Sequence, residues 1–223
     1  MRPQHDKVMA VLERRYAEPA ASSKETPWEV LLFTALTARS RDEQVEPVFR
    51  RLMARYPGPA QLAKAKVKDV EAVLRTVGLY RSKARNAVAL ARTLMERHGG
   101  IVPADLAALV ALPAVGRKTA SCTLVYAFGV PAIAVDTHVH RVTNRLGWVT
   151  EGTPEKTERA LRATLPERHW LDINRVMVQF GRDVCVPGRP KCWKCPVATW
   201  CAYPDKIPAP KDAGRGRLTK VKR

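Results

Sequence analysis

Four cysteines near the C-terminus, Cys185, Cys192, Cys195 and Cys201, follow the spacing C-x6-C-x2-C-x5-C inside 17 residues. Thiolates are soft ligands, and four in so short a window can close around one metal centre. Structural zinc sites usually pair their ligands as two short C-x2-C knuckles. Here a single gap is that short. The longer gaps suit a loop wrapped around a 4Fe-4S cubane, with zinc as the alternative. The fifth cysteine, Cys122, lies in a helical run and reads as a small core residue.

A second group is Leu112-Pro113-Ala114-Val115-Gly116-Arg117-Lys118-Thr119-Ala120. One helix is expected to end near Val110 and the next to run from about Lys118 to Ala127. Joined by a short turn, such a pair aims backbone N–H groups and the positive end of a helix at an anion. A DNA phosphate can be held this way without any base being read. Leu112, Val115, Gly116 and Arg117 are the candidate contacts. Lys118 adds an amine at the same helix start.

Eighteen residues beyond Lys118, the run Gly129-Val130-Pro131-Ala132-Ile133-Ala134-Val135-Asp136-Thr137-His138 ends one helix, continues extended and places Asp136 where another begins. Taken alone, such an aspartate is a structural N-cap. A lysine at a helix start eighteen residues earlier and a cysteine loop downstream weaken that plain reading.

The elements that must position these groups are helical. Val8, Val11, Leu12 and Tyr16 form one stripe at three- to four-residue spacing; Val45, Val48, Phe49, Leu52, Met53 and Tyr56 form another, with Pro47 expected to remove a hydrogen bond and kink it. Ser82 is expected to cap a helix whose face is Val88, Ala91, Leu94 and Met95 and whose stop is Gly99-Gly100. Thr153-Pro154 opens a further helix. Ile173, Val176, Met177 and Phe180 mark a late one ending at Gly181. Sustained alternation and Asn-Gly turns are absent, so the expected fold is all-α.

The 223 residues carry 39 Lys and Arg against 21 Asp and Glu, a formal charge of +18. With 46% hydrophobic residues the chain can bury a core, and its excess charge favours a polyanionic partner, nucleic acid before anionic membrane. No apolar run reaches 18 residues and the N-terminus lacks a signal-peptide core, so the expectation is a cytoplasmic, nucleoid-associated protein with reduced cysteines. The stretch from Ala209 is basic, lacks an apolar face and reads as a solvated tail with some capacity to tether DNA.

Together, Lys118 in its hairpin, Asp136 at a helix start, the cysteine loop and the segment Gly78-Leu79-Tyr80-Arg81-Ser82-Lys83-Ala84 resemble the endonuclease III family of helix-hairpin-helix glycosylases, over roughly Leu31 to Lys206. The resemblance implies two helical domains with a DNA cleft between them. A six-helix barrel would span 22–132, with the hairpin at about 104–127; an iron–sulfur domain would combine 1–21 with 133–208; 209–223 would be the tail. It further implies a 4Fe-4S cluster on the four cysteines, a catalytic lysine at Lys118 and a catalytic aspartate at Asp136. Leu79 and Arg39 would enter the gap left by a flipped nucleotide, with His138, Arg189 and Lys191 on the DNA and Thr37 and Asp42 near the pocket. The implied partner is double-stranded damaged DNA, met by a monomer with no obligate protein partner. The implied reaction removes damaged pyrimidines through a lysine Schiff base and β-elimination.

Two departures from the family pattern stand out. Ala114 fills the glycine position of the usual Leu-Pro-Gly hairpin, where a positive φ would be costly. Arg39 stands where the family usually has glutamine. A mismatch-specific glycosylase of the same superfamily and a non-catalytic helix-hairpin-helix DNA-binding protein are the alternatives. The former normally lacks a lysine at the Lys118 position, and the latter has no use for Lys118 with Asp136.

Overall fold

The computed structural model describes residues 4–16, 25–40 and 42–210. The tail beyond 210 lies outside the described residues, as does the proposed domain boundary near 22. Eleven α-helices and three short 3-10 turns make up the described structure, with no strand among the described residues. The chain divides into two compact units: Pro19–Ala134, and Met1–Glu18 with Val135–Arg223.

The Pro19–Ala134 unit holds seven helical segments: α2 Pro27–Thr37, α3 Asp42–Arg55, α4 Pro59–Ala63, α5 Val67–Leu74, α6 Tyr80–His98, α7 Leu106–Val110 and α8 Arg117–Phe128. Helix α2 starts on a capping box: the Glu29 amide donates to Thr26 Oγ1 at 3.3 Å and the Thr26 amide donates to Glu29 Oε2 at 2.6 Å, with Pro27 in the first turn. Its Trp28, Val30, Leu31, Leu32, Thr34 and Leu36 are all buried, so α2 is apolar around most of its circumference and runs through the core. It packs on α8, α3 and α6, while α6 also covers α4 and α5. Leu31, Leu52, Leu62, Leu74, Leu90, Leu94 and Leu109 lose essentially all solvent contact. Each such side chain contributes about 1.5–3 kcal/mol by leaving water. Helix α3 continues through Pro47.

The other unit is built from α1 His5–Tyr16, α9 Thr137–Leu146, α10 Pro154–Thr164 and α11 Ile173–Asp183. Helix α11 packs on α9 and α1, and α10 on α9. Thr153 caps α10, accepting from the Lys156 amide at 3.3 Å with Pro154 next, as its sequence indicates.

Two helix boundaries differ from those expected. Ser82 is not a cap: α6 begins at Tyr80 behind Leu79, which takes the left-handed conformation at φ 61°, and the Lys83 amide closes the turn on the Leu79 carbonyl at 3.0 Å. Leucine is outside the usual capping residues, so serine drew the boundary three residues too late. Gly181 does not end α11, which continues to Asp183. A Cβ at Gly181 would lie 2.6 Å from His138 Nδ1 and 3.0 Å from Arg141 Nη2, so this glycine serves the close approach of α9. Gly181→Ala is therefore expected to destabilise the protein by about 1–3 kcal/mol through overpacking, read as a lower urea midpoint with unchanged slope; a wild-type midpoint would show that α9 and α11 can part without loss.

Candidate DNA-binding and catalytic site

The hairpin is assembled from local interactions. Asp105 caps α7, accepting from the Ala108 amide at 2.8 Å, and the Val115 amide donates to the Leu112 carbonyl at 3.2 Å across the turn. Helix α8 then begins at Arg117 with Gly116 as N-cap and no side chain capping it. Ala120 is the first residue of α8 whose amide reaches back to Gly116, at 2.9 Å. The amides of Arg117, Lys118 and Thr119 precede it and lie at the positive helix end, a ready cradle for an anion. Gly116, Arg117 and Lys118 are exposed. Leu112 and Val115, expected as contacts, bury their side chains in the core at 3% and 5% exposure. What they contribute is the shape of the turn.

Ala114 lies in this turn at φ 60°. Among the described residues, the other non-glycine positions with positive φ are Arg39, at 58°, and Leu79, at 61°. All three belong to segments singled out above. Strained backbone of this kind gathers where function fixes a side chain or a turn. Arg39 lies between α2 and α3 and is exposed; Leu79 lies between α5 and α6 and is 58% exposed, a large apolar side chain facing water. Beside Arg39, Thr37 is half-buried and its hydroxyl donates to the Thr34 carbonyl at 3.1 Å, while Asp42 is exposed in the first turn of α3.

In the other unit, Asp136 caps α9. Its Oδ1 accepts from the His138 amide at 2.9 Å and the Val139 amide at 2.8 Å. Both cap bonds fall on one oxygen, so the carboxylate is oriented by the helix while Oδ2 takes no part in the cap. His138, expected on DNA, is half-buried, with Arg141 Nη2 3.1 Å from its Nδ1 and Gly181 against its ring. Burial holds its imidazole below the usual histidine range; Asp136 opposes that shift, and Arg141 and Arg182 add to it. His138 is thus packed on one side, at the start of α9.

Cys185, Cys192, Cys195 and Cys201 are free thiols lining one cavity of about 330 Å3, counted to its open mouth, together with Arg145, Leu146, Phe180, Val184, Pro190 and Tyr203. No three His, Cys, Asp or Glu side chains among the described residues converge on a single-ion position. A zinc ion needs every sulfur about 2.3 Å from one point, whereas a cubane takes each thiolate on a different iron. Thiols on the wall of a cavity fit the second case. Burial pushes the Cys195 thiol up to about 11 and raises Cys201 as well, and the neighbouring cysteines add to both shifts. A cationic core would stabilise four thiolates gathered here. Arg145 Nη1 donates to Cys185 Sγ at 3.5 Å and to the Val186 carbonyl at 2.8 Å, and its guanidinium lies 4.8 Å from the Tyr203 ring centroid. Arg141 Nε donates to the Cys185 carbonyl at 3.1 Å. Neither arginine was singled out in the sequence; their i, i+4 spacing on α9 is the only local signal. In the loop that follows, Arg189 is exposed, while Lys191 Nζ donates to the Asp183 carbonyl at 2.8 Å and so closes the C-terminal end of α11.

The chain matches the HhH-GPD superfamily of base excision DNA repair proteins over residues 33–167, a span containing Arg39, Leu79, the hairpin and Asp136. It is 48% identical to endonuclease III of Thermotoga maritima over 181 residues, covering 81% of this chain and 85% of that one. Against endonuclease III of Escherichia coli K12 the identity is 38% over 182 residues, covering 82% and 86%. A solved structure titled as a trapped endonuclease III–DNA covalent intermediate, in an estranged-adenine complex, superposes with a TM-score of 0.83 at 35% identity, over 89% of this chain and 94% of that one. The hairpin, the capped aspartate and the cysteine-lined cavity thus sit in a protein that belongs to the endonuclease III family of base excision DNA repair enzymes.

Proposed function

We propose that this chain is a bifunctional DNA glycosylase and AP lyase that removes damaged pyrimidines from double-stranded DNA, with Lys118 as nucleophile and Asp136 as its catalytic carboxylate. The observation that carries the reading is the placement of Lys118, an exposed amine in the first turn of α8, at the positive end of a helix whose N-cap, Gly116, offers no side chain. A phosphate held by those amides brings the sugar of its nucleotide within reach of the amine. The relative trapped covalently on DNA supports the same reading.

A base stacked in a duplex hides its glycosidic bond, so the nucleotide is flipped out first. The neutral amine of Lys118 then attacks C1′; the N–C1′ bond forms as the glycosidic bond breaks, and the base leaves with the bonding pair and takes up a proton. Ring opening gives an iminium ion, and loss of a C2′ proton expels the 3′ phosphate. A hydroxyl nucleophile would not retain the sugar as an imine, so strand cleavage follows from lysine being the nucleophile. Asp136, oriented through Oδ1 by its own helix, supplies negative charge where the sugar becomes cationic and accepts or returns protons. Arg39 and Leu79 enter the gap, Leu79 as an apolar wedge that keeps the DNA kinked. Cys185, Cys192, Cys195 and Cys201 would hold a 4Fe-4S cluster, which supplies cross-linking of the loop that carries Arg189 and no step of the reaction. The protein acts as a monomer in the cytoplasm.

Lys118→Ala is expected to abolish both borohydride trapping and nicking while leaving duplex affinity within about threefold, since one phosphate contact among several is lost. Asp136→Asn should slow base release roughly a hundredfold or more. Trapping that persists in Lys118→Ala would identify another amine as nucleophile.

Elemental analysis should find about four irons and four inorganic sulfides per chain, with visible absorbance. Cys192→Ala should lose the iron and lower the melting temperature. Stoichiometric zinc in colourless, stable protein would overturn the cluster assignment.

Arg39 brings five donors and no acceptor to the orphaned base, where a glutamine brings both. The enzyme should favour an orphaned guanine, which offers acceptors, over adenine, by roughly fivefold for each hydrogen bond of about 1 kcal/mol. Arg39→Gln should broaden the opposite-base range and flatten the salt dependence of binding without altering trapping; identical profiles for parent and variant would remove Arg39 from the gap.

A further inference from the structure

Lys83 is only 7% exposed, in the second turn of α6, near the positive end of that helix where a cation is disfavoured. Lysine is seldom buried without an acidic partner, and a methionine of similar length would be cheaper to bury. Its Nζ instead donates to the hydroxyl of Ser40, 43 residues away. Burial pushes the Lys83 amine below the usual lysine range.

The location of this contact gives it meaning. Ser40 directly follows Arg39, and its amide closes the turn on the Thr37 carbonyl at 2.9 Å. A Cβ on Gly78 would lie 3.8 Å from Ser40 Oγ, so Ser40 rests against the turn that carries Leu79. The Lys83 amide meanwhile closes that turn on the Leu79 carbonyl at 3.0 Å. One residue therefore fixes the Leu79 turn with its backbone and the Arg39 turn with its side chain, and both turns hold a non-glycine residue at positive φ.

We propose that Lys83 is a positioning residue: through Ser40 it joins the two strained turns into one piece, so that Arg39 and Leu79 meet DNA in fixed register. This rests on the reading of those two side chains as gap-filling. The ammonium does no chemistry on the substrate.

The test uses the full chain and a duplex carrying a tetrahydrofuran abasic analogue opposite 2-aminopurine, whose fluorescence rises as it unstacks. Lys83→Met and Ser40→Ala should each weaken binding to this duplex about tenfold, as befits a hydrogen bond to a charged group, and reduce the fluorescence rise. The double variant should be no worse than either single one, and affinity for undamaged duplex should not change. Lys83→Met should melt at or above the wild-type temperature, because a buried charge is removed. Additive losses, wild-type fluorescence in Lys83→Met, or a lowered melting temperature that accounts for the weaker binding would each overturn the proposal. Should Lys83→Met fail to fold, Ser40→Ala alone decides, wild-type affinity and fluorescence overturning it. Leu79→Ala and Arg39→Ala separate the two readings. If they quench the rise and Lys83→Met does not, Lys83 alone loses its role; if neither affects it, the gap-filling reading falls and the role of Lys83 with it.

Discussion

A residue with a Cβ held at positive φ costs on the order of 1–2 kcal/mol, and the Pro19–Ala134 unit maintains three, at Arg39, Leu79 and Ala114. Each lies at a helix junction, where the chain must change direction in a few residues. What holds them there is common to all three. Helix α2 ends just before Arg39, α6 begins just after Leu79, α8 begins three residues after Ala114, and α6 and α8 both pack on α2. The buried, largely apolar α2 is thus the common neighbour of all three strained turns in this unit.

Placement that is local in sequence was legible from the residues alone. The cysteine spacing, the lysine at a helix start and Asp136 as the first residue before α9 each depend on neighbours within one turn or one loop, and capping rules act at that range. The all-α architecture and most helix limits followed from periodicity for the same reason. The misplaced features depend on partners far along the chain. Gly181 reads as a stop until His138 is seen against it; the start of α6 reads as Ser82 until the positive φ of Leu79 is known; the contact of Lys83 with Ser40 spans 43 residues. Leu112 and Val115 illustrate a related ambiguity. Residues flanking a phosphate-binding turn can serve it by packing inward, which leaves the backbone as the binding surface, and sequence does not distinguish that from a side chain facing the ligand.

Charge shows a similar division between what composition reports and what the fold does with it. A formal +18 suggests a uniformly adhesive surface, yet several cations are engaged within the protein. Arg141 donates to the carbonyls of Thr137, Gly181 and Cys185, Arg145 to Val186 and Cys185, Lys191 to Asp183, and Lys83 to Ser40. Arg39, Lys118 and Arg189, by contrast, are exposed. Counterion release scales with the phosphates actually neutralised and not with net charge. The internal cations close helix ends and clamp the cysteine loop, tasks for which a long side chain with several donors is suited. The exposed ones sit on strained turns, a helix start and a loop between two cysteines, where backbone geometry limits their freedom. A phosphate binding there meets donors already in place, so less ordering entropy opposes the contact. The fold thus separates cations bonded around the cysteine loop and the Leu79 turn from those left exposed, and the first turn of α8 starts without a side-chain cap.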